Sequence, residues 1–386
     1  MELQENDVLY AGGASNGQGT PQAAPVQGGG FTFSGEGRDG FRQFVAFKGS
    51  GWELFKICIV NFLLTIITLG IYHFWAKVRV RKYLWSHTVV EGEPLEYTGT
   101  GKELFFGFLI VAGVFILYMV LQMVLERIHP GLSVLAALLL LPFWFFATYR
   151  AVRYRLTRTR WRGIRFNLSG SAWKYMFLAL GQSLLNLITL SLWYPKSCAV
   201  LRKRIIGNIW YGNRNFTFSG KAAPLYVSYL VAVLGIIGFG VAGFMLADLP
   251  TAFLQMNSNP GPEGFKSLAI AMGTFYGMLI LGVLVSQWFM CVLIRWEVGN
   301  TGFPGVRFRS SLTFGRYFWV QVSNLFLVLL TLGIGTPWAA VRSLKLYLNT
   351  LDAEGSLDYA HLAQDAQEAP KFGEGFLEAF DVDLAV

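Results

Sequence analysis

The titratable and nucleophilic side chains of this sequence are spaced in ways that match no familiar catalytic or metal-binding arrangement. Its four histidines, His73, His87, His129 and His361, lie far apart, and none belongs to the HExxH pattern of zinc hydrolases. The three cysteines include no CxxC pair, so they indicate neither a zinc site nor a disulfide framework. No GxSxG, phosphate-binding or dinucleotide-binding motif is present in the sequence. We therefore expect no enzymatic activity, no catalytic residue, no metal and no cofactor.

Lysines and arginines interleaved with aromatic residues carry the most distinctive chemistry. The candidate contact residues for an anionic lipid or a protein partner are Lys77, Arg79, Arg81, Lys82, Arg153, Arg155, Arg202, Lys203 and Arg204. Basic residues near a membrane surface gain about 1 kcal/mol each from anionic lipids. The plainer interpretation is that these charges only fix the topology. The net charge of +9 alone does not indicate nucleic-acid binding, because no recognition motif accompanies it.

A second set of polar side chains lies inside apolar runs. These candidate intramembrane residues are Asn61, Gln182, Asn186 and Asn324, and each is followed by a helix-breaking Gly or Pro. The pattern favours helices that enter a membrane and turn back, since irregular backbone at membrane depth must be buried in protein or line a cavity. The alternative is ordinary hydrogen bonding between spanning helices. No Asp or Glu lies deep in these runs, so the parts of an ordinary proton relay are missing.

The elements that must position these residues are apolar helices. The chain has 386 residues, of which 54% are hydrophobic and only 14% charged, a composition typical of membrane proteins. Seven stretches of 20 or more residues contain no Asp, Glu, Lys or Arg, and each is long enough to span a bilayer. They are 57–76, 104–125, 128–149, 175–195, 222–246, 267–294 and 317–341. Residues 1–30 contain no apolar run, which predicts a disordered tail rather than a cleaved signal peptide.

An internal repeat organises the chain. Thr68-Leu69-Gly70 aligns with Thr189-Leu190-Ser191 at an offset of 121 residues and with Thr331-Leu332-Gly333 after a further 142. We predict a first membrane unit at 31–162, a second at 163–304 and a truncated third at 305–360. Residues 361–386 form an acidic tail, which is either solvated or docked on a basic face.

Short pieces with alternating apolar residues precede or follow the helices. Residues 41–47, 164–168 and 216–218 show this alternation and are flanked by glycine-rich turns, which predicts short β-hairpins between helices. Ser50 with Glu53, and Thr100 with Glu103, fit the capping box at a helix start.

The distribution of basic residues bears on the topology. If all seven stretches cross, Lys and Arg divide about equally between the two sides, against the positive-inside rule. If 57–76, 175–195 and 317–341 enter and return, four spans remain, and only Arg127 and Lys266 of the 32 Lys and Arg residues are external. We therefore expect an α-helical polytopic membrane protein with four full spans, three re-entrant or half-inserted helices and most loops cytoplasmic. Seven spans is the alternative.

The first unit resembles a known family. NFLLTIITLGIYHFWAKVR at 61–79, followed by YTGTG at 97–101, resembles the YjgN family of bacterial inner-membrane proteins. The resemblance covers about 41–350, although Trp193-Tyr194-Pro195-Lys196 departs from the pattern in the second unit. It implies a bacterial inner-membrane location and no established activity, so no site residues can be transferred.

These observations favour a non-catalytic integral inner-membrane protein. The expected role is that of an envelope scaffold or a factor that binds anionic phospholipid, with or without a protein partner of unknown identity. The alternative is a small-solute transporter or channel in which broken helices expose backbone carbonyl groups to a substrate.

Overall fold

The computed structural model describes residues 31–33, 40–129, 131–132, 134, 136 and 140–357. The predicted N-terminal tail at 1–30 and the acidic tail at 361–386 lie outside these residues. The described helices are α1 (Gly51–Ile67), α2 (His73–Ser86), α3 (Gly101–Ile128), α4 (Leu140–Thr157), α5 (Ala172–Ile188), α6 (Tyr194–Ile206), α7 (Ala223–Ala247), α8 (Leu249–Ser258), α9 (Pro262–Gly299), α10 (Phe314–Leu330) and α11 (Thr336–Leu348). The described strands are β1 (Phe31–Phe33), β2 (Arg42–Gln43), β3 (Val45–Phe47), β4 (Thr88–Val90), β5 (Glu93–Tyr97), β6 (Thr159–Trp161), β7 (Ile164–Leu168), β8 (Ile209–Tyr211), β9 (Arg214–Asn215), β10 (Thr217–Phe218), β11 (Thr301–Phe303), β12 (Val306–Ser310) and β13 (Leu351–Leu357).

Local sequence sets the starts of two helices in different ways. Thr100 and Glu103 form the predicted capping box at the start of α3, each side chain meeting the other residue's backbone N–H. The same prediction for α1 is wrong. The Ser50 hydroxyl accepts from Trp52 N–H, while the Glu53 carboxylate accepts from the Tyr83 hydroxyl on α2 at 2.8 Å. The Tyr83 hydroxyl has therefore replaced the Ser50 backbone N–H as the hydrogen-bond donor to the Glu53 carboxylate.

The strands β2 to β13 close into one ring, which we call the strand ring. One series of antiparallel pairings runs from β3 to β9, and a second runs from β10 to β13 and on to β2. Phe44 joins β2 to β3 and bonds both neighbours, since its N–H donates to Leu351 O and its carbonyl accepts from Glu91 N–H. Phe216 joins β9 to β10 and donates to Ile209 O. The sequence predicts separate hairpins, whereas the structure links their strands into two sheets that the chain segments at Phe44 and Phe216 join into a ring.

One apolar cluster lines the inside of the strand ring. Its members are Phe44, Val90, Leu95, Trp161, Ile164, Phe166, Tyr211, Phe216, Phe303, Val306, Phe308 and Ala353. Every segment of the ring contributes at least one of them, because alternate residues of a strand face the same side. Segments far apart in sequence thus share one core, and burial of this core stabilises all of them together.

An ion pair joins two segments of the strand ring. Arg42 on β2 contacts Glu91, in the turn after β4, at 2.9 Å. Burial raises the pKa of Glu91 above its ordinary value, and the charges of Arg42 and Arg162 oppose that shift.

Three of the seven charge-free stretches are broken helices. Helices α1 and α2, α5 and α6, and α10 and α11 form three two-helix units that fold back on themselves, here called the helical hairpins. Residues 61 and 76 lie beside each other across the first hairpin, as do 324 and 339 across the third. The seven-span alternative requires each of these stretches to be one continuous helix, and none of the three is.

The three helical hairpins share the same turn. The hydroxyls of Thr68, Thr189 and Thr331 each accept from the backbone N–H four residues on, at 2.9, 3.1 and 2.7 Å. The next residue is a leucine with a left-handed backbone, at φ of 50, 48 and 49° for Leu69, Leu190 and Leu332. A left-handed residue also follows each leucine, and it is Gly70, Ser191 or Gly333.

Among the three residues that follow these leucines, only Ser191 carries a Cβ atom and is strained by the left-handed backbone. Its replacement by glycine should stabilise the second hairpin. A left-handed backbone costs a residue with a Cβ roughly 1–2 kcal/mol, and Ser191 has φ of 68°. We expect Ser191→Gly to raise the free energy of unfolding by about 1 kcal/mol, measured by equilibrium unfolding in mixed micelles. The control is Ser183→Gly in the middle of α5, which should lower the free energy of unfolding. Equal losses in both variants would contradict the assignment of strain.

Three of the described helices are long and apolar enough to cross a membrane. They cover Gly101–Ile128, Ala223–Ser258 and Pro262–Gly299, the second including a left-handed break at Asp248. Small residues bring α7 and α9 together: a Cβ added to Gly243 would lie 2.8 Å from Met278 Cβ, and one on Gly282 would lie 3.0 Å from Ile236 Cα. Large apolar side chains such as Leu117 (70% exposed) and Leu234 (66%) cover the outer faces, as a lipid environment requires.

Candidate functional site

The intramembrane amides fasten the two helices of each hairpin. Asn61 Nδ2 donates to Ala76 O at 3.2 Å, and Asn324 Nδ2 donates to Ala339 O at 3.2 Å. Gln182 occupies the corresponding place in the second hairpin, where its Oε1 accepts from Trp193 Nε1 at 3.0 Å. Asn186 lies one turn further along α5, and its buried Oδ1 has no hydrogen-bond partner in the described structure. Three of the four candidate amides thus have a structural role.

A groove of about 420 Å³ between α1, α2 and α4 brings several candidate residues together. Lys77, Arg81 and Arg155 line it beside Asn61, and no carboxylate is among its described lining side chains. Arg81 is buried and donates to the Tyr97 hydroxyl at 3.3 Å, which holds its guanidinium in place. Phe62, 60% exposed, forms part of the apolar wall. We call this site the basic groove.

The remaining basic candidates lie elsewhere. Arg79 is exposed and reaches Asn61 Oδ1 at 3.5 Å, and Lys82 is exposed on the same helix. Arg153 donates to Gly170 O and lies over the Tyr149 ring. Lys203 and Arg204 line a separate depression beside β9 and β10. The nine basic candidate contact residues are therefore divided among several places, and only three of them share the basic groove.

Arg202 faces the strand ring. It forms an ion pair with Glu297 on α9 at 3.3 Å, and both residues line a cavity of about 410 Å³ that the aromatic residues of the ring enclose. Neither Glu297 nor this cavity is among the features predicted from the sequence. The sequence signal for the cavity is the alternation of large apolar residues in the strand segments, which indicates one buried face.

The turns of the helical hairpins carry apolar side chains that are almost fully exposed. Leu69 and Leu332 are each 93% exposed, and Leu190 is 87% exposed. Their neighbours Ile67, Ile188 and Leu330 are between 75 and 82% exposed. Apolar patches of this kind mark protein or membrane contacts, and no charged residue interrupts 67–72, 188–193 or 330–335. We call these three segments the hairpin tips.

A largely helical chain with three long apolar helices, bare apolar tips and a strand ring defines an α-helical membrane protein. The chain belongs to the family described as bacterial protein of unknown function (DUF898), whose model matches residues 42–379. This confirms the resemblance to the YjgN family found in the sequence.

The chain has named relatives in Salmonella typhimurium and Escherichia coli. The chain is 25% identical to inner membrane protein YjgN of Salmonella typhimurium, over 85% of this chain and 92% of that protein. It is 29% identical to inner membrane protein YjgN of Escherichia coli O157:H7, over 57% of this chain and 51% of that protein. The match to the Escherichia coli K12 protein of the same name is 28% identical over the same shares. The chain thus spans about half the length of these two Escherichia coli relatives. No solved structure matches the chain.

Proposed function

We propose that this protein is a non-catalytic bacterial inner-membrane protein that holds anionic phospholipid in the basic groove and acts as an envelope scaffold. The observation that carries this proposal is the groove itself, in which three cationic side chains lie beside an apolar wall that includes the exposed Phe62. A phospholipid offers both matching parts, a phosphate for Lys77, Arg81 and Arg155 and an acyl chain for the wall. The location rests on the names of the relatives and on the apolar helices.

The strand ring supports a topology with four crossings. Its strands follow α2, α4, α6, α9 and α11 in turn. Because the two sheets of the ring are joined through Phe44 and Phe216, all of these strands lie on one side of the membrane, and the chain returns to that side before each of them. The three helical hairpins then enter and return, while α3 with α4, and α7 with α9, cross and come back. The excess of Lys and Arg on that side makes it the cytoplasmic one.

The hairpin tips support half-insertion into one leaflet. Each first helix has 17 residues and ends in a turn whose leucine side chain is almost fully exposed. A helix of this length spans about 25 Å, less than the hydrocarbon core of roughly 30 Å. The corresponding turns, amides and offsets also support an origin of the three hairpins by internal repetition.

The turn geometry favours this role over the transporter alternative. In each break the threonine hydroxyl and nearby carbonyl groups bond the N–H groups of the turn, including Gly70 N–H to Thr65 O at 2.7 Å and Gly333 N–H to Val328 O at 2.8 Å. A break that satisfies its own backbone groups anchors a helix, whereas a substrate site in a broken helix offers such groups to the ligand.

Removal of two groove charges should release bound lipid. We expect Lys77→Gln combined with Arg155→Gln to weaken retention of phosphatidylglycerol or cardiolipin by about 30-fold, since each charge contributes about 1 kcal/mol. Lipid retained by the purified protein would be measured by native mass spectrometry. Lys82→Gln combined with Arg160→Gln removes two exposed charges outside the groove and should change retention little. Equal retention by the groove variant and the wild type would refute the proposal.

A further inference from the structure

The cavity inside the strand ring has the size and lining of a ligand site. Its volume is about 410 Å³, within the 300–1,000 Å³ of typical small-molecule sites. Phe44, Phe166, Phe216 and Phe308 line it together with Trp161 and Tyr211. Protein interiors are close-packed and contain few voids larger than a water molecule. This space is partly open, and its size and apolar lining suit a small apolar ligand.

Polar groups are concentrated where the cavity meets the helices. Arg202 on α6 and Glu297 on α9 are its only charged lining residues within the described structure, and Thr301 and Tyr347 lie with them. The 3.3 Å contact between Arg202 and Glu297 balances their charges. Such a pair offers both a donor and acceptors to a neutral hydroxyl or ester group, whereas a phosphate or carboxylate would have to compete with Glu297 for the guanidinium.

The position of the cavity connects it to the membrane-embedded helices. Its lining includes Ile294 and Val298 on α9 and Leu348 on α11 in addition to Arg202 on α6. Helix α6 begins at the second hairpin tip, and α9 is one of the long apolar helices. A ligand from the bilayer would therefore meet these helices first, with its chain directed towards the aromatic ring.

We propose that the strand ring binds a single-chain lipid with an uncharged polar end, of the monoacylglycerol or long-chain alcohol class, its chain among the ring aromatics and its polar end at Arg202 and Glu297. This site is distinct from the basic groove, whose cationic lining suits a phosphate. The occupancy of one site is thus independent of whether the other binds.

The test uses the full-length protein in nanodiscs with a monoacylglycerol that carries a diazirine near the end of its acyl chain. After photolysis, peptide mass spectrometry should place cross-links on the ring segments around residues 161–166, 211–216 and 303–308. Val298→Phe adds a phenyl group at the cavity wall and should reduce these cross-links at least tenfold. Val283→Phe makes the same change on the 51% exposed outer face of α9 and should leave them unchanged. Leu95→Trp fills the cavity from the opposite wall and replaces Val298→Phe if that variant fails to fold.

Two outcomes would overturn the proposal. Cross-links confined to the outer faces of the long helices, with equal yield in the cavity-filling and control variants, would show that the ring binds no lipid. Displacement of the probe by palmitate at lower concentration than by 1-monopalmitoylglycerol would show that the site prefers an anionic end. More effective displacement by 1-monopalmitoylglycerol, together with loss of the ring cross-links in a cavity-filling variant, is the result expected.

Discussion

Single cysteines at positions 82, 160, 203 and 307 of a cysteine-free variant should all be protected from an impermeant maleimide added outside intact cells, and a cysteine at position 258 should be labelled. Lys82, Arg160, Lys203 and Arg307 have exposed side chains on α2, α6 and the strand ring, so the substitutions should leave the fold intact. All four positions should be protected because the strands of the strand ring pair with one another and therefore lie on one side of the bilayer. Ser258 lies at the end of α8, at the far end of the long helices.

The seven-span alternative predicts a different pattern. A crossing by each charge-free stretch would place positions 82 and 160 on one side and positions 203 and 307 on the other. Labelling after membrane permeabilisation is the control, since it shows that every cysteine can react. Labelling of position 82 but not position 203 in intact cells would contradict both the four-crossing topology and a single strand ring in the membrane-inserted protein.

Truncation of one ring aromatic should destabilise the whole protein. Phe303 is 7% exposed, and its ring centroid lies 4.9 Å from that of Phe216 and 6.3 Å from that of Tyr211. Removal of a buried Phe side chain costs about 3–5 kcal/mol. We therefore expect Phe303→Ala to lower the free energy of unfolding in mixed micelles by about that amount. Phe244→Ala, on the 54% exposed outer face of α7, should change it by less than about 1 kcal/mol.

A reporter in the first unit separates a shared ring from independent hairpins. Val90 belongs to the same apolar cluster as Phe303, although 213 residues separate them in the chain. A cysteine at position 90 should become reactive in the Phe303→Ala background and remain protected in the Phe244→Ala background. If its reactivity were the same in both, the β-hairpins would be independent of one another.

The groove and the cavity differ in their charge. The basic groove concentrates positive side chains beside an apolar wall, while the cavity of the strand ring holds a balanced ion pair inside a largely aromatic lining. An anionic headgroup suits the first and an uncharged end suits the second. The two proposals together assign the protein two lipid sites of different chemistry.

The sequence alone determined the class of protein, three of the strand segments and the helix breaks. Charge-free stretches identify membrane helices because a bilayer tolerates few charges. The turns are marked by Thr-Leu-Gly in the first and third hairpins, where glycine accepts a left-handed backbone without strain, and by Thr-Leu-Ser in the second. The apolar alternation at 164–168 predicted β7, because successive side chains of a strand point to opposite faces with a period of two residues. The basic residues were identified as candidates, but their grouping was not, since Arg155 reaches the groove from a helix 78 positions after Lys77.

Only the tertiary structure decided that the strands close into a ring. No local pattern specifies that the segment at 42–47 pairs with β13 at 351–357, because strand partners are chosen by side-chain packing across long sequence separations. Glu53 illustrates the same limit on a smaller scale. Its spacing from Ser50 fits a capping box, yet its carboxylate accepts a hydrogen bond from the Tyr83 hydroxyl on the neighbouring helix instead. The pairing of Arg202 with Glu297 was equally hidden, since it exists only where α6 and α9 approach the ring.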